Sequence, residues 1–488
     1  MFDRVAFLAA ILAALSPSLA TAARRKRMSP EEKIKVILDH TKPLRHPRGR
    51  RLPLYVWAAT EIPGDEAQVR ATLEALDSRG IAACATWRPG KAAEASLQRA
   101  LLVASVQKRM GLRINVNATP CTYTVCDGSP ETAHVDAQGN RFFDTSSSPR
   151  RKLGCPFRLK GRYPAIRAQL EPFLDAYKQR GLPIDFIFTD WEIDGPIEWQ
   201  GGWDAARRCV VCRKNIPDIE NFLAFQKAYR AIRSEVQREC FAAPVLARFP
   251  KALVGNYGVY PHGGWRYWYD YFEKEPGPGV PVRMDFRCPV RPWAHEFRSC
   301  GYTFAMPTVY TWYRTWFWYD WPNGDYRWFY NMLLVASNAA AHTPADVPLI
   351  TFVHHTTTSP PKEPDPAVKQ MSTWAYKELL WHMLLRGHDT FFLWCPDSEL
   401  ADEIEPVHEV WAAALEYREF LDRGEPVTFE VPRRPGPVVS ALRLGDRVLV
   451  RRTDFDATAG PVELRVGDRT VSIPRAEGRC QVLALPSR

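Results

Sequence analysis

Beyond its first 22 residues the chain contains no apolar run approaching the about 20 residues that span a bilayer, so no membrane span is expected in its body. It lacks a G-x-G-x-x-G turn after its first strand-like run, which weakens the case for an open doubly wound sheet. It lacks G-x-S-x-G, which disfavours a Ser-His-Asp hydrolase. It also lacks H-E-x-x-H or a similar helical pairing. The adjacent His354 and His355 would point to opposite faces of a strand, so no catalytic metal is expected and no cofactor is assigned. Its net charge of +10 is accompanied by no zinc-finger, RNP-type or helix-turn-helix signature, so nucleic acid is not an expected partner.

At 488 residues there is room for one large domain and a small one. Residues 1–22 read as a secretory signal: Arg4, an apolar run from Val5 to Leu15, Pro17, and a small-residue cleavage site at Ala20-Thr21-Ala22. The expected location is therefore secreted or periplasmic. Residues 23–50 form a basic segment: with Arg51 the stretch holds 11 Lys or Arg against three acids, a pattern expected of a solvated leader. Eleven cysteines in an exported chain point to disulfides. The nearest pairs are Cys121 with Cys126 and Cys209 with Cys212, and a structural zinc on those four thiols is the alternative.

Residues 51–424 show eight alternations of a short apolar run with a helical pattern, beginning with Leu52–Ala58 and Asp65–Leu76 and ending with Thr390–Trp394 and Leu400–Leu421. Eight such units imply a parallel (β/α)8 TIM barrel wrapped by helices. The least distinct helix is expected around Trp265–Glu273. Residues 425–488 change to short period-two runs, VTFEV, VSALRL, RVLVRRT, VELRVG, TVSIP and QVLAL, which imply a small C-terminal antiparallel β domain.

The chemistry concentrates in Ile184–Pro196, IDFIFTDWEIDGP. Strand alternation puts Phe186, Phe188, Asp190, Glu192 and Asp194 on one side, so carboxylates gather at the end of an apolar strand. In a TIM barrel that end is the active-site mouth. Two close carboxylates discourage each other's ionisation, leaving one as an acid while the other stays charged, as glycosidic cleavage requires. Other strand ends expected at the mouth are Trp57, Asn117, Tyr257, Tyr310, His354 and Trp394, with Asp397 and Glu399 just beyond. Twelve of the twenty-one residues from Tyr310 to Tyr330 are aromatic, suiting either sugar stacking or a packed lid.

These residues resemble two groups of barrel glycosidases. Asp190-Trp191-Glu192 is similar to the Asp-Trp-Glu of the hyaluronidases, and NYGVYP at 256–261, AMPTVY at 305–310 and FFLW at 391–394 resemble further strand-end motifs of that family. The resemblance implies Glu192 as general acid and Asp190 as the group orienting a substrate acetamido, with Tyr257, Tyr310 and Trp394 around the reactive sugar. The chitinase pattern D-x-x-D-x-D-x-E is a more distant likeness, met at Asp185, Asp190 and Glu192 and broken at Phe188.

The expectation is a secreted, retaining glycosidase on a polysaccharide, with Glu192 and Asp190 catalytic and Tyr257, Tyr310, Trp394, Trp57, Asp194 and Asn117 binding substrate. The alternatives are a second protein carboxylate, Asp194, Asp397 or Glu399, as nucleophile or base, and a barrel that binds glycan without cleaving it.

Overall fold

The computed structural model describes residues 27–122, 126–145, 152–191, 200–256, 297–312, 323–358, 369–432, 436–455, 460–476 and 478–486. The expected helix at 265–273, and with it Tyr257, lies outside these, as does the signal segment.

Local rules set the first elements. Ser29 and Glu32 form a reciprocal capping box at the start of α1 (Pro30–Asp39), and Asp65 with Gln68 does the same for α2 (Glu66–Asp77), each satisfying orphan N–H groups of the first turn. Between them lies β1 (Leu54–Val56). The basic segment is more than a solvated leader. Within α1, Ile34 and Ile37 are buried in the main core, and Lys33 pairs with Asp397 at 2.8 Å.

The chain continues through β2 (Ile81–Ala82), β3 (Cys84–Thr86), α3 (Ala93–Arg109) and β4 (Asn115–Asn117). A hairpin of β5 (His134–Val135) and β6 (Arg141–Phe142) precedes α4 (Tyr163–Arg167), α5 (Glu171–Gln179) and β7 (Phe186–Thr189). Helices α6 (Gln200–Arg208), α7 (Val210–Asn215), α8 (Phe222–Gln237) and α9 (Ala243–Arg248) lead to β8 (Leu253–Asn256). After α10 (Phe297–Cys300) come β9 (Thr308–Trp312), α11 (Gly324–His342), β10 (Ile350–Thr358), α12 (Thr373–Leu384), β11 (Thr390–Leu393), α13 (Leu400–Ala414) and α14 (Arg418–Arg423).

All the ladders among the strands that alternate with these helices are parallel. They form two sheets, β2-β1-β11-β10-β9 and β3-β4-β7-β8, and β2 and β3 are two halves of one run broken at Ala83. The spatial order thus follows eight successive units. Between β8 and β9 there is no ladder among the described residues, and no closed sheet is seen among them. Thr303 makes the nearest link, donating its N–H to Val254 O at 2.9 Å and accepting from Val254 N at 2.8 Å.

Aromatic rings fill the space the strands enclose. Tyr55 of β1 stacks on Phe186 of β7 at 4.2 Å, Phe186 meets Phe304 at 5.1 Å, and Phe188 meets Phe392 of β11 at 4.6 Å. Gly255 makes room for this layer, because a Cβ there would lie 2.7 Å from the Phe304 ring.

The C-terminal part is antiparallel, with β12 (Glu425–Pro426), β13 (Val438–Leu444), β14 (Arg447–Thr453) and β17 (Cys480–Ala484) in one sheet, and β15 (Val462–Val466) with β16 (Arg469–Ile473) in another. VTFEV does not form the expected strand, and Glu425–Pro426 pairs with β13 instead. The domain keeps its own small core around Val448, Val450 and Ile473, and lends Val438, Leu442 and Leu449 to the main core. Its docking face also carries buried polar pairs. Arg451 forms a bidentate pair with Glu378 of α12, and His382 bridges Ser440 at 2.7 Å and Thr453 at 2.8 Å.

Candidate active site at the C-terminal strand ends

Strand β7 alternates its faces up to Thr189. Phe186 and Phe188 face the ring-filled interior, whereas Thr189 hydrogen-bonds outward to Thr122 at 2.6 Å. Asp190 follows at the strand's C-terminal edge, half-buried, its backbone N–H held by Thr119 Oγ1 at 3.0 Å. Trp191 is buried and donates its backbone N–H to Asn256 Oδ1 at 2.9 Å, which ties the exit of β7 to the end of β8. Glu192 and Asp194 lie outside the described residues, as does most of the aromatic stretch after Thr311.

Four of the expected strand-end residues besides Asp190 and His354 are placed, with the two alternative carboxylates Asp397 and Glu399. Trp57 packs edge-on against Phe188 at 5.6 Å and Phe392 at 6.1 Å. Asn117, buried at the end of β4, accepts from Thr119 N at 3.0 Å and donates to Thr86 Oγ1 at 3.3 Å, so it shapes the β4 exit. Tyr310 and Trp394 come together with ring centroids 6.4 Å apart, and His354 lies 6.0 Å from the first and 5.2 Å from the second. Of the alternative carboxylates, Asp397 turns away to Lys33 and the Met28 N–H. Glu399 accepts from His354 Nε2 at 3.0 Å.

The His354 arrangement is an ion cluster that sequence reading did not foresee. Its ring, 2% exposed, sits 3.0 Å from Glu399 and 3.2 Å from Glu403, and Glu403 also accepts the backbone N–H groups of His355 and Thr356 at 2.8 Å each. Burial opposes the imidazolium, but the hydrogen bonds and charges of Glu399 and Glu403 outweigh it and push His354 up to about 9. Glu403 is desolvated too, yet His354 and those two N–H groups hold it below the usual carboxylate range. The result is a fixed cation beside Tyr310 and Trp394.

The disulfide expectation is not met. The ten described cysteines are all free thiols. Cys121 lies against Trp87 O at 3.8 Å, far from a pairing role with Cys126, and Cys209 and Cys212 gather with Cys155 and His134. The sequence signal for this cluster is the Cys209–Cys212 spacing; Cys121 and Cys126, the other close pair, are not part of it. A separate cavity of about 300 Å3 opens on the flank between the β1 exit and α3, lined by Ile62, Ala85, Arg88 and Val103, and none of Asp190, Tyr310, His354 or Trp394 borders it.

Neither a protein-family model nor a curated protein matches the chain. Similar solved structures are glycoside hydrolases. An alpha-L-fucosidase isoenzyme 2 from Paenibacillus thiaminolyticus is 13% identical with a TM-score of 0.39, over 72% of this chain and 47% of its own. The GH36 alpha-galactosidase AgaB from Geobacillus stearothermophilus is 12% identical with a TM-score of 0.45, over 93% and 58%. The maltogenic alpha-amylase AmyB from Thermotoga neapolitana is 11% identical with a TM-score of 0.39, over 89% and 98%. The chain thus spans about half the length of the first two. At this identity and TM-score the likeness assigns no activity and no residue role to it.

Proposed function

We propose that the chain is an exported glycoside hydrolase that cleaves a polysaccharide at the mouth of a (β/α)8 barrel. Glu192 protonates the leaving glycosidic oxygen and then activates water, while Asp190 holds a 2-acetamido group whose carbonyl oxygen attacks the anomeric carbon, so configuration is retained. Trp57, Tyr310 and Trp394 offer stacking faces for the apolar side of a sugar, and Asn117, Tyr257 and Asp194 offer hydrogen bonds to its rim.

The observation that carries this reading is the contact between Phe188 and Phe392 at 4.6 Å. Both strands run in the same direction, and the next residue of the same parity is Asp190 on one and Trp394 on the other. A carboxylate and a stacking ring are thereby aimed at one space. The ties of Asp397 to Lys33 and of Glu399 to His354 argue against either as a second catalytic carboxylate.

Two inhibitors test the mechanism. A sugar thiazoline, which mimics the bicyclic intermediate of acetamido participation, is expected to inhibit hydrolysis of acetamido-containing polysaccharide. Covalent labelling of Asp194 by a 2-fluoro sugar would instead establish a protein nucleophile.

A further inference from the structure

We propose that His134, Cys155, Cys209 and Cys212 bind one structural zinc ion, which clamps the loop leaving β4 to the helices that follow β7. The four residues come from three separate segments: the β5–β6 hairpin, the turn before α4, and the N-terminus of α7. All four are buried, and their ligand atoms lie within 4.8 Å of one another. Zinc with sulfur at about 2.3 Å and nitrogen at about 2.1 Å requires tetrahedral edges of about 3.8 Å between sulfurs and about 3.6 Å from sulfur to nitrogen. Cys155 Sγ lies 3.6 Å from Cys212 Sγ, and Cys212 Sγ lies 3.9 Å from His134 Nδ1.

The surroundings suit thiolate ligands. Backbone N–H groups of Val135 and Phe157 donate to the sulfurs of Cys209 and Cys155, and the Tyr229 hydroxyl lies 3.7 Å from Cys212 Sγ. The His134 ring is fixed by stacking on Phe142 at 5.1 Å. Such outer contacts orient ligands and disperse thiolate charge. Around them lies a small core of its own, with Trp203, Ile216, Ile219, Phe225 and Tyr229. A core this size needs a staple, and a metal supplies one.

Four protein ligands leave no open position, so the ion is structural. Its place explains its use: β4 ends at Asn117 and β7 leads into Asp190, and the clamp anchors the chain that departs from both. The inference rests on no assumption about hydrolysis.

The test is metal content of the full chain, expressed with zinc and purified under reduction. About one zinc per chain is expected, falling below about a tenth in Cys209→Ser/Cys212→Ser and unchanged in Cys240→Ser. Should the double variant fail to fold, cobalt replacement in the unaltered chain gives the second readout: thiolate-to-metal charge transfer in the near ultraviolet with tetrahedral ligand-field bands in the visible. A reduced chain that takes up neither zinc nor cobalt, a disulfide mapped among Cys155, Cys209 and Cys212, or full metal retention by the double variant would each overturn the proposal.

Discussion

Phe188 on β7 and Phe392 on β11 meet edge to face with centroids 4.6 Å apart, although four units of the fold separate them in sequence. This contact supports Asp190 and Trp394 from below. Phe188→Ala removes a fully buried ring that also packs on Trp57 and Phe186, and is expected to cost about 3 to 5 kcal/mol in chemical denaturation. Turnover should fall further than the folded fraction does, since the floor of the site collapses.

Trp394 and Tyr310 pack with ring centroids 6.4 Å apart, and on the proposed reading Trp394 stacks on substrate without taking part in proton transfer. Trp394→Ala should raise KM by about tenfold or more, for a stacking loss of about 1 to 2 kcal/mol, with a smaller change in kcat. An unchanged KM on every polysaccharide cleaved would remove Trp394 from the binding surface.

The His354 cluster makes stability fall on the alkaline side. Its imidazole is pushed up to about 9, above its ordinary value, so the stabilisation is complete below about pH 6.5 and is lost as pH rises through about 9. The amount at stake is on the order of 3 kcal/mol. Thermal melting should therefore drop between about pH 7 and pH 9.5, and the slope should disappear in His354→Gln. In the acid direction Glu403, held low, loses its contribution as pH falls below the carboxylate range.

Docking of the C-terminal sheets depends on the Arg451–Glu378 pair, in which both side chains are 4% exposed. Glu378→Ala strands a buried guanidinium and should destabilise the protein by about 3 to 5 kcal/mol. Arg451→Met with Glu378→Leu, which removes both charges, should recover much of that loss. Equal destabilisation by the single and double variants would contradict the docking role.

The strand and helix pattern was legible because it rests on local periodicity: Glu66–Asp77, Thr390–Leu393 and Leu400–Ala414 lie where the apolar spacing put them. The inward set of β7 was legible for the same reason. Helices α6 and α7 were missed, since Gly201 and Gly202 depress helix propensity and the segment carries little apolar periodicity. The His354–Glu399–Glu403 cluster was not legible, and of the His134–Cys155–Cys209–Cys212 set only the Cys209–Cys212 spacing was. Each joins residues from separate segments whose approach is tertiary.

The central claim is that Glu192 transfers the proton in cleaving a polysaccharide, with Asp190 as its partner. Its most direct test is the release of new reducing ends from acetamido-containing and sulfated polysaccharides by the unaltered chain, Glu192→Gln and Asp190→Asn. The account predicts cleavage of at least one acetamido-containing polymer by the unaltered chain. It also predicts a loss of about a thousandfold or more in kcat for Glu192→Gln, with polymer binding retained. Full activity of Glu192→Gln, or tight binding with no product from the unaltered chain over long incubation, would contradict it.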